Sequence, residues 1–462
     1  MKRPLMLLFS VAVGIVLFLS PVPDGLSTEA WQLFAIFGAT ILCVLTGGTT
    51  LFLAAILALV AAVLTGTLDP DAAYAGFSKG FILLIVVAFL VGKGVVNSGL
   101  GARIGYLLVS RFGRSPLGLA YSIMATDAVI APAFPSNTAR SGVLFPIVYS
   151  LAENNGSHPG DESRHRIGAY LMLCAMVSLA LSSGLWLTAM AANPAGVAIA
   201  AEQGVSINFA SWFIAASVPT FCAIVVLPWL LYKVFPPTIG ATPEAPGLAQ
   251  AALKEMGPFS RKEWITLSTF VTLVGGWALA GIIGFDATAI AFLGLALLIM
   301  GGVFSVKDLR ESGDALETLI WFAILYTLST ELNRLGFMSW AGNLMGGAVT
   351  DFAWPITYVL LLCLYVIVHY LFVSQTAHLL ALFGVFLALS QPNVPLPLMA
   401  MMLLLATNFF SVLTPQASSC NVIFVGSGYI TGGEVYKYGG LATAACLLIF
   451  LLVGTPWILW VL

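Results

Sequence analysis

The chain has 462 residues, of which 60% are hydrophobic and 8% charged, with a formal net charge of −2. Soluble domains carry roughly a quarter charged residues, so this composition excludes a soluble protein and indicates an all-α polytopic membrane protein. No nucleic-acid partner is expected; the first partner is the lipid bilayer.

Lys2 and Arg3 precede the first apolar run and favour a cytoplasmic N-terminus. No small-residue cleavage site follows residues 1–20, so residues 4–20 read as a membrane helix rather than a removed signal. Residues 31–45 and 50–65 are further spans, separated by Gly47-Gly48. Each is close to the lower limit of about 17 residues for crossing a bilayer. Residues 81–95 follow, flanked by Lys79 and interrupted by Lys93. Arg103, Arg111 and Arg114 bracket residues 104–110, which predicts an interfacial helix with its arginines at head-group level.

Residues 131–142, APAFPSNTARSG, put Ser136-Asn137-Thr138 and Arg140 inside a stretch otherwise fit for lipid. Such residues are costly in hydrocarbon and mark functional positions. Pro132 and Pro135 argue against one continuous helix and for a re-entrant hairpin with the polar triplet at its tip. Residues 153–166 are a polar loop. Residues 167–187 are apolar but run into Thr188 and Asn193-Pro194, a predicted broken helix, and residues 212–234 close the first half.

Residues 235–262 hold five prolines and read as a polar cytoplasmic linker. Spans at 264–283 and 287–303 and an apolar run at 316–328 come next. Residues 353–371 lead to Ser374-Gln375-Thr376, again with a basic residue, His378, two places on. Residues 398–410 break at 414–421, TPQASSCN, and residues 441–462 end the chain. Lys437 is the one positive charge after Arg334, which places the C-terminus outside.

Each half therefore carries a polar hairpin tip followed by a helix broken near an asparagine, Asn193 or Asn421. Paired interrupted helices in corresponding positions point to a secondary-transporter binding site. The expected plan is about 11 transmembrane helices in two inverted repeats, residues 1–235 and 263–462, joined by the linker at 236–262. Half-helix N-termini offer free N–H groups and partial positive charge to carboxylates. Small polar residues also glue membrane helices together; here it is the recurrence of tip and break that favours a site. His369 is expected to be a packing histidine. Asp127 is either a coupling carboxylate or a structural partner of a nearby cation. The six scattered cysteines form no CxxC pair and read as packing thiols.

These motifs resemble the divalent anion/sodium symporter family, in its dicarboxylate-exchanger branch, through PSNTAR at 135–140, SQTAH at 374–378 and ASSCNVIFVGSG at 417–428. The resemblance implies a homodimer in which a transport domain moves past a fixed scaffold as an elevator. It implies substrate contacts at Ser136, Asn137, Thr138, Ser374, Gln375 and Thr376, with Ser418 and Ser419 nearby, and Thr188, Asn193, Ala417 and Asn421 at the breaks. Two departures argue against sodium. Gln375 stands where sodium-coupled members have Asn, and Ala191-Ala192-Asn193 where they have Pro-Pro-Asn.

The expected function is exchange of di- or tricarboxylates across a bacterial inner membrane, with Arg140 and His378 supplying fixed compensating charge in place of Na⁺. The alternative is a sodium-coupled symporter of the same family, with Na⁺ held by Ser136, Asn137 and Ala189 and by Ser374, Gln375 and Ala417. An anion channel is a remote third reading. No cofactor or structural metal is expected. The sequence contains no Walker motif, His/Glu metal spacing or nucleophile elbow, so ATP-driven transport and enzymatic activity have no support.

Overall fold

Helices begin where apolar runs begin and stop at Gly, Pro or a capping hydroxyl. The computed structural model describes residues 2–346, 352–391 and 393–462; Met1 of the charged N-terminal stretch lies outside them. The first helices are α1 (Lys2–Leu19), α2 (Thr28–Leu45) and α3 (Leu51–Leu64), the last two capped by the Ser27 and Thr50 hydroxyls. A short α4 (Pro70–Tyr74) leads to α5 (Gly80–Ser98) and α6 (Leu100–Phe112). The turn between those two is made by Gly99 at φ 78°, a conformation that a side chain would strain.

The first hairpin is α7 (Pro116–Ile130) and α8 (Asn137–Asn154). The first broken helix is α9 (Gly168–Leu185) and α10 (Ala192–Glu202), followed by α11 (Phe209–Val234). After α12 (Ala245–Glu255) come α13 (Arg261–Ile283), α14 (Ala287–Met300), α15 (Val306–Arg310), α16 (Gly313–Arg334) and α17 (Phe337–Gly346). The second hairpin is α18 (Trp354–Val368) and α19 (Gln375–Leu389). The second broken helix is α20 (Leu396–Phe409) and the single-turn α21 (Asn421–Gly426), and α22 (Gly432–Val461) ends the chain.

Among the described residues, nine helices are long and apolar enough to cross a membrane, and five shorter ones are comparably apolar. The hairpin arms α7 and α18 are among the nine, and α19 among the five. Without the arms, seven of the nine and four of the five remain, against the expectation of about 11.

The centre of the molecule is α9. All of its 18 residues are buried, and it packs against α7, α8, α11 and α20. Its sequence, GAYLMLCAMVSLALSSGL, is rich in Gly, Ala and Ser. Small side chains let helix backbones approach closely where lipid gives no hydrophobic drive.

Two stretches are more structured than their sequence announces. Arg103 is buried and pairs with Glu263 at the start of α13 instead of pointing outward. Its Nη1 also donates to the Gly257 carbonyl at 3.0 Å, and its guanidinium lies 4.9 Å from the Phe259 ring centre. A partner 160 residues away is invisible to a local reading. The stretch 236–262, read as a linker, is also more than irregular chain. They contain α12, which packs along α6, and Thr242 ties back to α6 by donating its hydroxyl to Gly113 O at 2.7 Å.

Candidate functional site

The two tips are built alike. In each, an α-helix tightens into one 3₁₀ turn (Ala131–Ala133; His369–Leu371) and then an extended phenylalanine, Phe134 or Phe372. A serine N-cap follows. Ser136 (φ −138°, ψ 121°) accepts from Ala139 N, and Ser374 (φ −149°, ψ 125°) accepts from Ala377 N, both at 3.3 Å. Each serine takes one of the orphan donors of its helix. The N–H groups of Asn137 and Thr138, and of Gln375 and Thr376, then start α8 and α19 with no intrahelical acceptor.

The two breaks are also alike. Asn193 Nδ2 donates to the carbonyls of Ser183 (2.9 Å) and Trp186 (3.2 Å), ten and seven residues earlier. Asn421 Nδ2 donates to Ser411 O (2.7 Å) and Thr414 O (3.0 Å), at the same two offsets. Each asparagine thus satisfies the carbonyls exposed where its helix unwinds, as buried backbone requires. Thr188 donates to Pro132 O and Ala191 N to Pro135 O, both at 2.9 Å, fastening the first break to the first tip.

Tips and breaks close around one cavity of about 180 Å³. Ser136, Asn137, Thr138, Ser374, Gln375, Thr376, Ser418 and Ser419 all line it. Thr138 and Ser419 hydroxyls meet at 2.7 Å, and Asn137 Nδ2 donates to Gln375 Oε1 at 3.4 Å, so the two halves touch. Thr188, Ala189, Asn193, Ala417 and Asn421 are buried behind the lining. The facing wall comes from Phe89 of α5 and from Thr318 and Trp321 of α16. The sequence offered no signal for these three, since aromatic and threonine residues are ordinary in apolar helices.

No charged side chain lines the cavity among the described residues; Arg140 and His378, expected to compensate charge, both lie behind it. Arg140 is fully buried behind the first tip, with Nε 3.7 Å from Asp127 Oδ1. Its other contacts are Ser182 Oγ (3.0 Å), Leu179 O (3.1 Å), Ser183 Oγ and Asn137 Oδ1. The cation therefore reaches the cavity only through Asn137. His378 is fully buried among Tyr365, Phe372 and Phe410, with Nδ1 3.2 Å from Nδ1 of His369. His369 is a satisfied packing histidine, as expected: it is buried against Phe410, and its Nε2 lies 3.0 Å from Ala417 O, tying the second hairpin to the second break.

The role of Gln375 also changes. Its Nε2 donates to Thr407 O (2.8 Å) and Asn408 O (3.3 Å), so its side chain turns only an acceptor toward Asn137. What it offers an anion is its backbone N–H. Asn408, which the sequence reading missed, donates to Asn193 Oδ1 at 2.9 Å. Ser183, Asn137, Gln375, Asn408 and Asn193 thereby form a closed polar ring through both hairpins and both broken helices.

A polytopic helical protein with two capped tips and two broken helices around one polar-lined cavity has the build of a membrane transporter rather than an enzyme. The chain belongs to the family described as the sodium:sulfate symporter transmembrane region, whose model matches residues 1–462. It is 39% identical over 454 residues to the putative malate transporter YflS of Bacillus subtilis, covering 98% of this chain and 95% of that one. It is 38% identical to the chloroplastic dicarboxylate transporter 2 of Spinacia oleracea, covering 98% and 81%. It is 30% identical to the L-tartrate/succinate antiporter of Escherichia coli, covering 97% and 96%. Among solved structures, MtrF of Neisseria gonorrhoeae aligns with TM-score 0.62 at 11% identity over 97% of both chains. YdaH of Alcanivorax borkumensis aligns with TM-score 0.57 at 14% identity over 84% and 87%. At those identities the likeness is one of fold.

Proposed function

We propose that the chain exchanges dicarboxylates of the succinate, malate, 2-oxoglutarate and tartrate class across a bacterial inner membrane, without Na⁺. The observation that carries this reading is the pair of congruent serine-capped helix starts facing one cavity. A dicarboxylate has two anionic ends, and each helix start supplies N–H donors, hydroxyls and a dipole of the right sign. Citrate and other tricarboxylates bring a third charge for which the lining holds no further matched donor set, so they are expected to be weak substrates.

Exchange rather than sodium symport is favoured by the oxygens a Na⁺ would need. Asn137 Oδ1 already accepts from Arg140 and Ser183, Gln375 Oε1 from Asn137, and Ala417 O from His369. Sodium symport remains the second reading because the family description itself names sodium. The inverted repeats 1–235 and 263–462, the homodimer, the elevator motion and the cytoplasmic N-terminus with external C-terminus belong to the same proposal. The matching offsets at tips and breaks support the repeats.

A competition panel tests the substrate class. Uptake of labelled succinate into proteoliposomes should saturate and be displaced by malate, 2-oxoglutarate and tartrate, and weakly by citrate. Non-saturating flux at channel rates would contradict a carrier.

A further inference from the structure

Among the described residues, Asp127 is the one buried carboxylate beside the cavity that the proposed transport step does not use. It sits on α7, fully buried, and accepts from Ser178 (3.0 Å) and Ser182 through Oδ2. Its other oxygen faces Arg140 Nε at 3.7 Å. Ser182 is a relay, accepting from Arg140 and donating to Asp127. The guanidinium is therefore held on one side by the Asp127 carboxylate and the Ser182 hydroxyl. Its other edge is turned to Asn137, where Nη2 and the Ser183 hydroxyl both donate to Oδ1.

Those contacts leave the Asn137 amide one orientation. Arginine has no acceptor, so the edge of the amide that meets Arg140 has to be its oxygen. The nitrogen must then face the other way, toward Gln375 and the cavity. One of its hydrogens goes to Gln375 Oε1, and the second is free for a ligand. Rotated half a turn, the amide would set N–H against the guanidinium and present an oxygen to an incoming carboxylate, which is repulsive on both edges.

We propose that Asp127 is a positioning residue for the first half of the site. Through Arg140 and Ser183 it holds the Asn137 amide with its donor edge to the cavity, so that this end of the site accepts a carboxylate and rejects a carboxamide. The ion pair supplies orientation, not net charge. The proposal rests on reading the cavity as a dicarboxylate site.

The test is discrimination between succinate and its half-amide, succinamate, in proteoliposomes holding the full chain, normalised to folded protein. Wild type should prefer succinate, because an amide NH₂ would meet donors at either tip. In Asp127→Asn, Arg140 loses the counter-ion that anchors it against the Asn137 oxygen, and a guanidinium that shifts away leaves the amide free to turn. Apparent KM for succinate should rise about tenfold or more, and the preference for succinate over succinamate should fall by roughly the same factor. Ser183→Ala removes a hydroxyl that bonds both Arg140 Nη2 and Asn137 Oδ1 but leaves the Asp127–Arg140 pair itself in place. It should shift both quantities in the same direction, and it stands in if Asp127→Asn does not fold. A merely structural role would lower transport of both compounds equally. Folded variants in which the succinate to succinamate ratio is unchanged would overturn the proposal. Failure of wild type to take up succinate at all would instead remove the dicarboxylate reading beneath it.

Discussion

Single hydroxyls and amides carry the chemistry of this molecule. A hydrogen bond to a charged group contributes on the order of 1.5–3 kcal/mol. Ser136→Ala, Thr138→Ala, Ser374→Ala and Thr376→Ala should therefore each weaken succinate binding roughly tenfold or more, read as a rise in apparent KM. Wild-type affinity in variants of both tips would remove the tips from the site. Gln375→Glu separates the two halves of that residue's role. It keeps the acceptor that meets Asn137 but loses the Nε2 donors to Thr407 and Asn408, and it adds a negative charge beside the anion, so binding should be lost outright. These tip residues were legible in the sequence because Ser-Asn-Thr and Ser-Gln-Thr stand out against lipid-compatible neighbours. Ser178, Ser182, Ser183 and Asn408 were not. A lone small polar residue in an apolar helix is ordinary helix glue, and only packing shows which ones meet.

Helices here are held by a few long-range polar staples as much as by apolar packing. The buried pair Arg103–Glu263 joins α6 to α13, and α12 closes over it. Removing one partner of a buried pair leaves an uncompensated charge and costs about 3–5 kcal/mol. Arg103→Ala should therefore lower the unfolding temperature of the purified protein markedly, and Arg103→Ala with Glu263→Ala less than the sum of the two singles. Additive losses would show that the pair is not coupled. At the breaks, Asn193→Ala and Asn421→Ala each strip two carbonyls of their donor. Each should destabilise by about 1–3 kcal/mol, and Asn193→Ala by more than Asn421→Ala, because Asn193 is also the acceptor for Asn408. Proline and polar residues announced the hairpins and breaks from sequence. Neither the Arg103 partner nor the α12 helix could be read that way, since one depends on a distant residue and the other was masked by the prolines around it.

At the scale of the whole molecule, the ring through Ser183, Asn137, Gln375, Asn408 and Asn193 makes both hairpins and both broken helices one polar unit, facing Phe89, Thr318 and Trp321 across the cavity. Water can solvate the N–H groups of the two helix starts and the free hydrogen of Asn137 while the cavity is open, but moving them empty through the bilayer strips that water, and unsatisfied polar groups are expensive there. A bound dianion satisfies them, and the two helix dipoles offset part of its charge. The loaded carrier should therefore cross more readily than the empty one, which is the behaviour of an exchanger. The most direct measurement is counter-flow. Proteoliposomes preloaded with unlabelled succinate should take up labelled succinate equally well with and without Na⁺, and empty ones should take up little. Strong uptake into empty vesicles that depends on an inward Na⁺ gradient would contradict the account.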